Sequence, residues 1–177
     1  NLSTINQLPK KGNNNYKNTK DTKDTKDTKD SKDKYIIAIP SYNRPELIQQ
    51  KTLSLLKKHT IKSSHIVIFV ANREQYDLYK TKIPKTLYHK LVIGVKGLKN
   101  QRNYISNYYP EGTHIVQMDD DLEKIVQLNV ENGKKTIEPI SNLDTFIKKA
   151  FLLCQTNTIF LWGVYPLANS HFMTNTI

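Results

Sequence analysis

The sequence predicts an α/β domain with a mainly parallel sheet flanked by helices, preceded by a disordered tail. From residue 35 onward, short apolar runs recur with room for one helix between each pair, the spacing of strand-helix-strand units joined by right-handed crossovers. The run YIIAI is apolar throughout instead of alternating, as in a strand covered on both faces, and HIVIFV and LVIGV follow it as further strand-like runs. Residues 1–34 break this pattern. They carry the repeat KDTKDTKDTKDSK over 20–32, where alternating charges and hydroxyls bury nothing that could offset chain ordering.

Residues 35–39 are the first expected strand. They end in Pro40-Ser41-Tyr42-Asn43-Arg44-Pro45, a turn whose second proline suits the first turn of a helix over 46–58. Residues 65–70 give the second strand, 74–81 a short amphipathic helix and 91–95 the third strand. A helix over 99–108 follows, with Leu98, Arg102, Ile105 and Tyr109 at roughly helical spacing, and 114–118 form the fourth strand. The pattern then loosens into 124–130, a turn at Asn132-Gly133, and 136–140. A helix over 143–154 sets Leu143, Phe146, Ile147, Ala150, Phe151 and Cys154 on one face. The run TIFLWGV over 158–164 predicts a further strand.

The chain has 177 residues, enough for one domain over 35–177 and too few for two. Its net charge is +11. The tail holds 9 lysines and 5 aspartates, and the rest 18 basic and 11 acidic side chains, so both parts are basic. Such a surface suits nucleic acid, an anionic surface or a nucleotide substrate, and charge alone does not choose among them. One cysteine, Cys154, excludes an internal disulfide framework and a four-cysteine zinc site. No segment has the length of a membrane span and no signal peptide is evident, so an intracellular soluble protein of cytoplasm or nucleus is expected.

In parallel sheets, ligands bind beyond the carboxyl ends of the strands near the switch point. That rule puts residues 41–44, 71–73, 96–102 and 119–121 on one edge. Asp119, Asp120 and Asp121 stand together in HIVQMDDDLEKI, and three adjacent carboxylates are costly without a cation. Hard oxygen donors suit Mg or Mn, which keep waters and bridge to substrate phosphates. In extended chain Asp119 and Asp121 point one way and Asp120 the other. Opposite them, Lys99 and Arg102 lie about one helical turn apart behind Gly97, suited to an anion.

The motifs YIIAIPSYNRPE, GLKNQRNYI and HIVQMDDDLEKI, in this order, together with WGVYPLANSHFM, resemble a GT-A glycosyltransferase of the family-2-like kind. Within that group the pattern is similar to the viral and phage TET-associated glycosyltransferases. The resemblance implies a GT-A, Rossmann-like domain over 35–177. It implies Pro40, Ser41, Tyr42 and Arg44 lining a nucleotide pocket, with Asn72 or Glu74 near the base. Lys99, Arg102 and Asn103 would lie near the ribose and diphosphate, Asp119 and Asp120 near ribose or sugar, and Asp121 would be the main metal ligand with Asp119 as its companion. A Mn or Mg ion, a nucleotide-sugar donor of the UDP type, a viral source and a modified DNA base as acceptor are implied in the same way. So is an acceptor region carrying the catalytic base, which makes the chain expectedly incomplete at its C-terminal end.

An inverting transferase needs a carboxylate or comparable base within reach of the acceptor hydroxyl. Glu123, Glu131, Glu138, Asp144 and His171 are available, with His171 and Asp144 as weak candidates. Two other functions share these features. A sugar-1-phosphate nucleotidyltransferase needs a glycine-rich loop after the first strand, which PSYNRP lacks. A non-catalytic nucleotide- or DNA-binding module needs only the basic surface.

Overall fold

The structure, a computed structural model, describes residues 34–166 and 168–173. The expected tail over 1–34 lies, but for Lys34, outside the described residues. The domain has the expected α/β architecture. A four-stranded parallel sheet comprises β1 (Tyr35–Pro40), β2 (Ile66–Val70), β3 (Lys90–Ile93) and β4 (His114–Gln117), in the order β3-β2-β1-β4. The chain steps outward from β1 to β3, then returns to lay β4 against the other side of β1. The switch point therefore lies between β1 and β4, a place that apolar runs alone do not reveal.

Register keeps the carboxyl ends close. Tyr35 is paired with His114 and Ala38 with Gln117, while Ile37 is paired with Ile66 and Pro40 with Phe69. Alternate β1 side chains serve opposite faces. Tyr35, Ile37 and Ile39 join Ile48, Leu56, Tyr79, Leu143 and Ile147 on one face, and Ala38 joins Val67, Phe69, Val92 and Ile105 on the other. Each fully buried Ile, Leu or Phe contributes about 1.5–3 kcal/mol, so Phe69→Ala alone would cost about 3–5 kcal/mol.

Among the described residues five α-helices flank the sheet: α1 (Pro45–Ile48) and α2 (Ser54–Lys58), joined by a π-helical turn at Gln49–Leu53, then α3 (Arg73–Lys82), α4 (Leu98–Tyr108) and α5 (Leu143–Thr156). The expected helix over 46–58 is thus continuous in path but widened in its middle. Asn72 caps α3 by accepting from the Gln75 N–H, and Asn142 caps α5 by accepting from the Thr145 N–H. The loosely patterned stretch is a hairpin of β5 (Val126–Glu131) and β6 (Lys134–Pro139). Its turn residues Asn132 (φ 50°) and Gly133 (φ 78°) are both left-handed, as a two-residue turn of type I′ requires.

The predicted strand over 158–164 is a correction: that stretch carries no strand. It leaves α5 through Thr158 (φ 55°), with the Ile159 N–H bonded to the Cys154 carbonyl. Trp162 then packs edge-on against Phe146 and Phe151 of α5. The segment is held by its aromatic ring on a helix, and it gains no ladder partner for the strand that its β-branched composition favours.

Candidate functional site

The loop after β1 is fixed by α3. Ser41 continues the sheet, its N–H donating to the Phe69 carbonyl. Asn43 adopts φ 56°, a left-handed conformation that Asn tolerates better than most residues, and its N–H donates to Gln75 Oε1 at 2.7 Å. The Arg44 N–H donates to the Tyr79 hydroxyl at 3.0 Å. Pro40 and Ser41 are buried, whereas Tyr42 and Arg44 are exposed at the cleft.

Across the switch point stands the aspartate triplet. β4 ends at Gln117, so the triplet lies in a turn, yet its burial alternates as expected for an extended chain. The Asp120 side chain is only 3% exposed, while those of Asp119 and Asp121 are about half exposed, 52% and 50%. Ser41 Oγ donates to Asp120 Oδ2 at 2.5 Å and lies 2.6 Å from the Tyr79 hydroxyl. Serine has one proton to give, so Tyr79 donates to Ser41 while Ser41 donates to Asp120. The Arg44 guanidinium meets Asp120 Oδ1 at 3.0 Å and closes the ring. Burial pushes the Asp120 carboxyl above the usual carboxylate range, opposed by the Ser41 hydrogen bond and the Arg44 charge. Burial also pushes the Tyr79 phenol up, which keeps it a donor.

The outer two aspartates face cations. Arg102 Nη2 lies 2.5 Å from Asp119 Oδ1, and Arg44 Nη1 lies 3.8 Å from Asp121 Oδ2. Arg102 is aimed by α4, which starts behind Gly97 (φ 91°). Beneath that loop the Val95 N–H donates to Oε1 of buried Gln101 at 2.7 Å. Gly94 leaves the space for this, because a Cβ there would run into the Gln101 amide. Lys99 and Asn103 are exposed on α4.

The structure thus brings Ser41, Arg44, Arg102, Asp119, Asp120 and Asp121 together at the switch point. Asn72 is accounted for as a helix cap, and Glu74 is exposed in the first turn of α3. Asp144 is not brought to the cleft. It accepts from the Tyr35 hydroxyl at 2.8 Å, at the opposite end of β1, and pairs with Lys148 at 2.9 Å. His171 lies in an exposed turn, its ring 5.0 Å from that of Phe172 and its N–H bonded to Asn169. Among the described residues, no three His, Cys, Asp or Glu side chains gather closely enough to hold an ion alone. Asp119 and Asp121 supply two half-exposed carboxylates, each paired with an arginine, so an ion held there would need the rest of its shell from water and a diphosphate.

A groove of about 1290 Å³ opens from Asp119 and Arg102, runs beside β4, and is walled on its far side by Phe151 and Trp162. No helix in the described part is long and apolar enough to cross a membrane. Sequence reasoning missed Tyr79 and Gln75, which read as ordinary helix-face residues, and Gln101, although Gly94 inside a strand-like run is a signal of close approach.

No curated protein and no solved structure matches the chain. The model of the TET-Associated Glycosyltransferase family matches residues 35–159, from the first residue of β1 to just past α5, and ends before Trp162. That match takes in the Ser41 to Arg44 loop, the Arg102 helix and the aspartate turn, and on its extent the chain belongs to the TET-associated glycosyltransferase family.

Proposed function

We propose that this chain transfers a sugar from a nucleotide-sugar donor to a hydroxyl group, with a hydroxylated DNA base as the acceptor. The observation that carries the reading is the meeting of two arginines and three aspartates at the switch point, at the mouth of a groove large enough for a sugar and an acceptor. In this reading Arg102 and Arg44 hold the diphosphate of a UDP-type donor, and Tyr42 offers an exposed ring to the nucleoside. Asp119 and Asp121 hold a Mn or Mg ion, whose chemistry when bound is to neutralise charge on the departing diphosphate. Asp120 orients Arg44 from beneath, since its two oxygens are engaged by Ser41 and Arg44. Lys99 and Asn103 flank the ribose side of the site. The groove beside Asp119 receives the acceptor.

The test is direct. UDP or UDP-glucose with Mn raises the melting temperature of the protein, and Asp121→Asn abolishes the rise. Incubation with UDP-glucose, Mn and hydroxymethylated DNA adds one hexose mass to the DNA. A melting curve unmoved by a panel of nucleotide-sugars overturns the proposal. DNA binding that is salt-dependent and survives loss of both Asp119 and Asp121, without transfer, would favour a non-catalytic module instead.

A further inference from the structure

The π-helical turn at Gln49–Leu53 places one buried hydroxyl against the backbone of the aspartate triplet. Thr52 is fully buried, and its Oγ1 donates to the Asp119 carbonyl at 2.8 Å while accepting from the Leu122 N–H at 3.0 Å. A single side chain therefore spans both ends of the turn that contains Asp120 and Asp121. Threonine in the middle of a helix commonly bonds the carbonyl four residues back in its own helix. Here both bonds go instead to a segment 67 and 70 residues away. The neighbouring Lys51 adds an ion pair to Glu123 at 2.8 Å, and Ser54 Oγ donates to the Gln49 carbonyl across the widened turn. Wide helical turns of this kind occur often at functional sites.

We infer that Thr52 is a positioning residue for the donor site, and that the π-helical turn exists to deliver its hydroxyl to the aspartate turn. The side chain of Asp120 is fixed by Ser41 and Arg44, but those contacts leave the backbone on either side of it undetermined. The directions of the Asp119 and Asp121 carboxylates follow from that backbone. Thr52 fixes it at the Asp119 carbonyl and the Leu122 amide, so the two exposed carboxylates keep a constant separation. This inference rests on the reading of the cleft as a nucleotide-sugar and cation site.

Thr52→Val keeps the shape and removes the hydroxyl, and Thr52→Ser keeps the hydroxyl. Thermal shift with UDP, titrated with Mn, reads the cation concentration giving half the maximal shift. Thr52→Val is expected to raise it about tenfold, the loss of one buried hydrogen-bonding group, while Thr52→Ser stays near wild type. If Thr52→Val does not fold, Thr52→Ala against Thr52→Ser provides the same contrast, because these two differ by the hydroxyl alone. A hydroxyl-free variant that titrates like wild type overturns the inference, and so does a serine variant as impaired as the hydroxyl-free one. Absence of any shift in the wild type with any nucleotide or cation defeats the nucleotide-sugar reading itself, and this inference with it.

Discussion

Ser41 Oγ donates to Asp120 Oδ2 at 2.5 Å, joining the carboxyl ends of β1 and β4 across 79 residues of sequence. The bond sits at the point where the order of strands reverses. It ties the loop that carries Arg44 to the turn that carries the aspartates, so the two walls of the cleft share one buried polar contact.

Ser41→Ala leaves the buried Asp120 oxygen and the Tyr79 hydroxyl each short of a partner. The expected cost is about 1–3 kcal/mol in urea unfolding at neutral pH. The gap from wild type also depends on pH. Asp120 has a folded-state value raised above its ordinary 3.8, chiefly by burial, and the Ser41 hydrogen bond counteracts that rise. A raised acid stabilises the fold below its unfolded value and loses that contribution as pH climbs through the folded one. Without Ser41 the loss is larger, so the gap is smallest below pH 3.8 and widens as Asp120 ionises. A gap independent of pH would separate Ser41 from the charge on Asp120.

Arg102→Ala removes a partly exposed guanidinium from a half-exposed carboxylate. Such pairs contribute at most about 1 kcal/mol, so the melting temperature without ligand barely moves. Binding of UDP-glucose, measured by calorimetry, is expected to weaken about 10- to 100-fold, the usual range for a charge-assisted hydrogen bond to a phosphate. Equal affinity in variant and wild type would remove Arg102 from the diphosphate site.

Gly94→Ala drives a methyl group into the Gln101 amide and displaces it from the Val95 N–H. Overpacking of this kind costs about 1–3 kcal/mol in chemical denaturation. The cost shrinks when Gln101→Ala is made first, because the obstructing side chain is gone. A double-mutant cycle with no coupling would refute the contact.

Asp144→Asn tests the other end of the sheet. Burial pushes the Asp144 carboxyl up, but hydrogen bonds from Lys148 and Tyr35 outweigh it and hold the group below its ordinary 3.8. A depressed acid gives stability that is present above its unfolded value and lost as pH falls through the folded one. The melting temperature of the variant is therefore expected below that of wild type at pH 7, with the difference closing below pH 3.8.

Much of this architecture was legible in residue patterns, because a continuous apolar run such as YIIAI admits few alternatives to a doubly covered strand. The Asn132-Gly133 turn was legible for a local reason, since two successive left-handed residues demand that chemistry. The convergence of PSYNR, Arg102 and the aspartates followed from the strand-end rule alone. Other features depend on partners far away in sequence. Nothing near Tyr79 indicates that its hydroxyl ends against Ser41, and nothing near Thr52 points to Asp119. The widened turn at Gln49–Leu53 hides inside a sequence whose apolar positions still fit an ordinary helix. The run TIFLWGV misled because composition reports preference for a strand, whereas a strand needs a neighbour to bond. Asp144 is told from a cleft residue only by its bond to Tyr35, at the far end of β1.

Trp162, pressed against Phe146 and Phe151 on the wall of the groove, is the chain's single tryptophan. Its indole emission therefore comes from one known place. A molecule entering beside it alters the polarity around that fluorophore, and loosening of α5 exposes it to water and shifts its emission to longer wavelength. The protein carries its own optical probe of groove occupancy, free of label and separable from the ten tyrosines by exciting only the indole.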